Sequence, residues 1–198
     1  MAKKARPASN LKTIIVSIFM VAIVLFYFSY LSNRSAKRRT ENKKSELESL
    51  MEYDMNAEYP KTARDLAKLH CRYMKMIYTE KLSDEELGKL NRKMRMLYCS
   101  ELLALNPESG SLDRMKKDIA NTKEQKLEYK VYELPEASQV KKYVKDGKEM
   151  AQLEVRITMD TEEGKGYLYE EYVMIKEGDN WKIYGWMPAE GNQTTTEE

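Results

Sequence analysis

His70 is the single imidazole of the chain, Cys71 follows it directly, and Cys99 is the only other thiol. A histidine titrates near neutrality, so in a pocket and oriented by a carboxylate it could serve as a general base. Here it falls on an apolar stripe with Ala63, Leu66, Ala67, Tyr73, Met74 and Ile77. On such a stripe a hydrogen-bonded packing histidine is the commoner explanation, and the spacing assigns it no acidic partner. His70 is thus the one catalytic candidate, with packing the preferred reading. Cys71 and Cys99 could be bridged if two helices bring their Cα atoms within about 7 Å. Two small half-buried thiols are the simpler reading. Histidine beside cysteine is not metal-ligand spacing, and these residues are too few for an ordinary zinc cage. No metal and no cofactor is expected.

Twelve tyrosines, eleven methionines and both tryptophans lie after residue 44, with no phenylalanine. Tyrosine and methionine adapt to irregular apolar surfaces, so they could line a groove for a peptide or a small apolar ligand. Tyr169, Tyr172, Tyr184 and Trp186 are the candidate ligand-facing group; the plainer alternative is core and sheet surface. Lys116-Lys117 and Lys141-Lys142 read as solvated charges. Gly164 and Gly166 sit in a hairpin turn with no helix after them, so they do not form a phosphate-cradling loop. No nucleophile elbow, zinc-protease helix or kinase set is present.

The elements that must position these residues follow from periodicity. Pro60, then Thr62 with Asp65, open a first helix along the His70 stripe. Ser83 with Glu86 forms a capping box for a second, whose stripe runs Leu87, Leu90, Met94, Leu97, Tyr98, Leu102, Leu105 until Pro107 stops it. Leu112, Met115 and Ile119 mark a third, opened by Ser109 or Ser111. After Leu127 the period becomes two. Residues 151–159 alternate most clearly, flanked by strands at 140–144, 167–176 and 181–187 and a candidate edge strand at 127–134. Helices followed by an antiparallel meander define an α+β class with four to five strands.

The chain of 198 residues carries +2 overall, but its parts disagree. Residues 1–44 hold ten basic groups against one acid; residues 45–198 hold 24 basic against 31 acidic. An acidic body lacks the basic face needed to neutralise phosphates, which excludes a nucleic-acid partner for it. Residues 13–33 contain no charged side chain and all three phenylalanines. About 20 such residues match a hydrocarbon core about 30 Å thick, so a retained transmembrane helix is expected. A cleavable signal would have a shorter apolar run, and Arg34 is badly placed for cleavage after Ala36. The basic residues on the two sides nearly balance, so charge alone leaves the orientation open. The domain plan is a basic tail (1–12), a span (13–33), a charged stalk or linker (34–58), a folded domain (59–188) and a disordered tail (189–198).

The order of the span, Tyr30-Leu31-Ser32-Asn33-Arg34, Tyr59-Pro60-Lys61-Thr62, Asp84-Glu85-Glu86-Leu87, Glu101-Leu102-Leu103-Ala104 and Trp181-Lys182-Ile183-Tyr184-Gly185-Trp186 resembles an uncharacterised family. Its members are single-pass membrane proteins of anaerobic Gram-positive bacteria, filed as a domain of unknown function. The resemblance covers nearly the whole chain. It implies a cytoplasmic N-terminus and an extracytoplasmic C-terminal domain in the cell membrane, and it implies no activity. Separately, helices followed by a curved sheet look like the nuclear transport factor 2-like cone, a fold that hosts isomerases, dehydratases and non-catalytic envelope domains alike. Ketosteroid isomerase-type cones resemble this chain only in a tyrosine-bearing first helix (Tyr73, Tyr78); their acidic groups have no match assignable here. The expected role is a membrane-anchored, non-enzymatic domain that binds an envelope protein, a peptide or a small apolar ligand. The alternative is a cone enzyme acting in a pocket between helices and sheet.

Overall fold

The computed structural model describes residues 46–189. The chain divides into two units between Glu48 and Ser49, and the sheet with its helices belongs to the second. The span expected at 13–33 lies outside the described residues, as do the tail at 1–12, residues 34–45 of the expected linker and nearly all of the C-terminal tail. Among the described residues no helix is long and apolar enough to cross a membrane.

Five helical segments precede an antiparallel sheet of five strands, an α+β arrangement consistent with a cone-like fold. They are α1 (46–52), α2 (Ala63–Thr79), α3 (Asp84–Arg95), α4 (Ser100–Leu105) and α5 (Ser111–Glu124). The strands are β1 (Glu128–Glu133), β2 (Lys141–Lys145), β3 (Lys148–Thr161), β4 (Gly164–Glu177) and β5 (Asn180–Pro188).

Local chemistry sets the helix starts. The Thr62 hydroxyl accepts from the Asp65 backbone N–H at 3.0 Å and caps α2. At α3 the capping box is complete. Glu86 N–H donates to Ser83 Oγ at 3.3 Å, and Ser83 N–H donates back to Glu86 Oε2 at 2.8 Å. Those bonds to the ionised carboxylate hold Glu86 below its ordinary pKa. Neither Ser109 nor Ser111 caps α5. Gly110, at φ 84°, occupies the cap, and Ser111 is the first helical residue, its hydroxyl accepting from Asn91 Nδ2 at 2.9 Å. A left-handed backbone there suits glycine alone among ordinary choices.

The expected second helix is broken. It stops at Arg95, and residues 97–99 leave the helix to lie parallel against β5. Ile183 N–H donates to Leu97 O at 2.8 Å and Cys99 N–H donates to Ile183 O at 2.9 Å. The helical stripe through Leu97 and Tyr98 is real but is overridden, because these bonds satisfy an otherwise open edge of the sheet. Cys99 then caps α4, its sulfur accepting from Leu102 N–H at 3.3 Å. Cys99→Ala should therefore cost about 1 kcal/mol in urea unfolding, whereas Cys99→Ser, which keeps a capping acceptor, should stay within about 0.5 kcal/mol of the parent.

β3 is the spine of the sheet. β4 pairs along its whole length on one side, while β2 and β1 share the other side, β2 against 148–152 and β1 against 156–160. β2 is fully exposed and contains three lysines, a composition that discourages pairing at an edge. The helices bury the inward parity of β3 (Ala151, Leu153, Val155, Ile157). Bulges interrupt the register between Tyr129 and Val131 on β1 and between Val173 and Met174 at the β4–β5 pairing, where Tyr184 is the extra residue. Such bulges bend and twist a sheet.

The body also reaches further back than the expected linker boundary. Leu50 is fully buried, Met55 nearly so, and the Tyr73 hydroxyl donates to Leu50 O at 3.4 Å. Tyr59 ties the same stretch to β5, its hydroxyl donating to Trp181 O at 2.9 Å. The folded unit thus begins at residue 49 rather than 59.

Candidate functional site

The inward residues of α2, β4 and β5 build an aromatic knot around His70. The imidazole has no exposed surface. It lies 4.7 Å from the Trp186 ring and within 5.7 Å of Tyr98 and Tyr172, centroid to centroid. Its Nδ1 is 3.0 Å from the Tyr172 hydroxyl and its Nε2 is 3.3 Å from the Tyr98 hydroxyl. One ring nitrogen therefore donates and the other accepts, which is the bonding of a neutral imidazole. Burial without a nearby carboxylate agrees, lowering the His70 pKa to about 3. A base that stays neutral to that point, enclosed by aromatic rings, is positioned for packing. The Cys71 thiol donates to the Tyr172 oxygen at 3.7 Å, so Tyr172 ties β4 to two neighbouring side chains of α2.

Beside this knot lies a cavity of about 230 Å³ between α2, α5 and the sheet. Met74, Leu127, Ile157, Met159 and Leu168 make most of its wall apolar. Its polar groups are Glu170, Tyr172, Tyr78, Tyr129 and Thr122. Glu170 occurs on the inward parity of β4, between Leu168 and Tyr172. The residue keeps some surface, but its carboxyl sits among apolar neighbours, and desolvation raises its pKa to about 7 despite a hydrogen bond with Tyr172. Among the described residues no cation contributes to that balance. Tyr129 is 6% exposed and its hydroxyl is buried without a hydrogen-bond partner. Unpaired buried hydroxyls are uncommon, because each forfeits its water for nothing.

A second cavity of about 160 Å³ lies on the other side of Met74 and Tyr78, which wall both spaces. Tyr98 and Trp186 line it, with Asn91, Arg95, Arg114 and Asp118. The bonded series Tyr172, His70, Tyr98 thus runs from one cavity to the other.

The residues expected from sequence are partly brought together. Tyr172 and Trp186 stack at 6.1 Å beside His70. Tyr169 and Tyr184 stand apart from them: neither joins the ring contacts around His70, and Tyr184 is 41% exposed. Tyr184 and Trp186 share strand parity, but the bulge at Tyr184 separates their faces. Cys71 and Cys99 are both buried free thiols. Burial pushes the Cys71 pKa to about 12, so the native protein should leave Cys71 unlabelled by iodoacetamide at pH 8, with labelling appearing only in urea. Among the described residues no cluster of histidine, cysteine, aspartate and glutamate could hold a metal ion. Sequence reading missed Glu170, Tyr129 and Tyr98. For Glu170 the signal was present: one acid at an inward position of an otherwise apolar-aromatic alternation.

No curated protein matches the chain in sequence. Among solved structures, it is similar to the NMR solution structure of TraH from the Gram-positive conjugative plasmid pIP501. That similarity has 12% identity and a TM-score of 0.37, covering 68% of this chain and all of that one. A family model described as a domain of unknown function, DUF6715, matches residues 1–186, and the chain belongs to that family.

Proposed function

We propose that this protein is a membrane-anchored, extracytoplasmic domain that binds a small, mainly apolar ligand in the cavity between α2, α5 and the sheet. The observation that carries the reading is the unpaired Tyr129 hydroxyl in an apolar cavity that also holds Glu170. A cavity that is mainly apolar with a few convergent polar groups is the ordinary form of a small-molecule site. The uncharged stretch 13–33 supports the anchor, and the family resemblance supports a cytoplasmic N-terminus. The resemblance to the nuclear transport factor 2-like cone supports the same placement of a site between helices and sheet.

The test uses the full chain in zwitterionic lipid nanodiscs with ¹³C-methyl methionine, titrated with hexan-1-ol. Met74 and Met159 line the cavity, whereas Met187 is 56% exposed on β5. The Met74 and Met159 signals should shift saturably while Met187 stays still, and Leu168→Trp, which fills the space, should abolish the shift. Unchanged Met74 and Met159 signals would remove the reading. A second reading, a cone enzyme of isomerase or dehydratase type, is favoured by one observation. Glu170, with a pKa of about 7 beside the Tyr129 hydroxyl, has the proton affinity of a general acid or base. On that reading the catalytic candidate is Glu170 rather than His70.

A further inference from the structure

We infer that the ligand of the Glu170 cavity is an organic amine: an ammonium head held by the Glu170 carboxylate and the Tyr129 oxygen, with a short apolar body against Met74, Leu127 and Ile157. This assignment rests on the cavity being the binding site.

Three features converge on a cation. Glu170 lines the cavity from β4 and is flanked by tyrosines, and among the described residues no lysine or arginine contributes to its environment. A carboxyl in an apolar setting either keeps its proton or takes a charge partner, and among the described residues none supplies that partner. Second, the Tyr129 hydroxyl is buried and unpartnered. An ammonium has three donors and no acceptor. It can give one to the phenol oxygen and others to the carboxylate, so a single head group can serve both acceptors. Third, the rings of Tyr78, Tyr129 and Tyr172 line the same space, and their faces attract cations. A neutral acceptor such as a carbonyl could use the Tyr129 O–H and a protonated Glu170, but it would leave the carboxyl without a charge partner whenever that group ionises.

The two ligand types demand opposite responses to pH. An alkylammonium stays charged from pH 5.5 to 8.5, so its affinity should rise across that range as Glu170 ionises; a carbonyl ligand should weaken. The other titratable groups facing Glu170 are Cys71 and Tyr78 from α2, Tyr129 from β1 and Tyr172 from β4. All have raised pKa values and keep their protons throughout. His70, bonded to Tyr172, remains neutral throughout. β3 and α5 contribute only Ile157, Met159 and Thr122 to the cavity wall.

The probes are hexan-1-amine and hexan-1-ol, alike in length and differing in charge, added to the full chain in zwitterionic nanodiscs and read at the Met74 and Met159 methyls. Hexan-1-amine should bind at least ten-fold more tightly than hexan-1-ol at pH 8.5. Glu170→Gln should weaken the amine ten-fold or more and change the alcohol less than two-fold. If the alcohol binds but the amine binds no better, or if the amine is indifferent to both Glu170→Gln and pH, the amine assignment is wrong and the cavity reading survives. If neither probe moves Met74 or Met159, the cavity reading itself is wrong and the amine assignment falls with it. The pH series on the unsubstituted protein keeps the test decisive even where Glu170→Gln perturbs folding.

Discussion

Replacing His70 by alanine lowers the stability of the folded body by about 3–5 kcal/mol, the range for truncating a large, fully enclosed side chain. Two effects add. The ring fills the space between Trp186, Tyr98 and Tyr172, and its two nitrogens are bonded to the hydroxyls of Tyr172 and Tyr98. His70→Phe keeps most of the volume but strands those hydroxyls, so it should cost about 2 kcal/mol. Both tryptophans lie on β5, so their fluorescence during urea unfolding of the nanodisc-held chain reads this region directly. Acid supplies an independent check. The unfolded imidazole takes a proton near pH 6.5, whereas the folded one resists until about 3. Unfolding therefore binds a proton in that window, and stability present above pH 6.5 is lost as pH falls toward 3, by an amount on the order of 4 kcal/mol. The phenylalanine variant, having nothing to protonate, should lack that part of the acid slope. A variant with unchanged stability and unchanged acid slope would show that His70 is not enclosed by these rings.

Glu170→Gln gives the opposite sign. The carboxyl is held protonated up to about pH 7 in the fold, but ionises near 4.5 once unfolded. The stability linked to it is complete below pH 4.5, falls as pH rises through 7, and is absent above that. Removing the ionisable group should therefore stabilise the protein at pH 8.5 by about 2–3 kcal/mol and change little at pH 4.5. Between pH 4.5 and 6.5 the contributions of His70 and Glu170 oppose each other, so the parent protein should show a shallow stability plateau there. Urea midpoints for Glu170→Gln at the two pH values decide the matter. Equal effects at both would mean that the carboxyl is solvated, and the cavity would lose its ionisable wall.

How much of this was written locally is clear from individual residues. Thr62 with Asp65, and Ser83 with Glu86, act over three residues and place two helix starts without help from the rest of the chain. The alternation through 151–159 fixes the spine of the sheet because only one face can be covered. The break after Arg95 was not legible. Leu97, Tyr98 and Leu102 fit a helical stripe, and only hydrogen bonds to Ile183, far along the chain, pull them out of it. A single inserted residue at Tyr184 likewise reverses which aromatic rings of β5 meet the core, and parity counting cannot see an insertion that depends on pairing. The His70 stripe correctly indicated burial, yet its partners come from three other segments. Glu170 stood on an inward position in plain view, but its meaning required the cavity.

The seating of Leu50 has a mechanical consequence. The polypeptide enters the body through a side chain locked under α2 and a carbonyl gripped by Tyr73, not through a slack lead. Tension applied from upstream of residue 49 is therefore loaded onto the same helix that carries His70, Met74 and Tyr78. Because Met74 and Tyr78 on that helix wall both cavities, a pull on the N-terminal side bears on a helix that both spaces share.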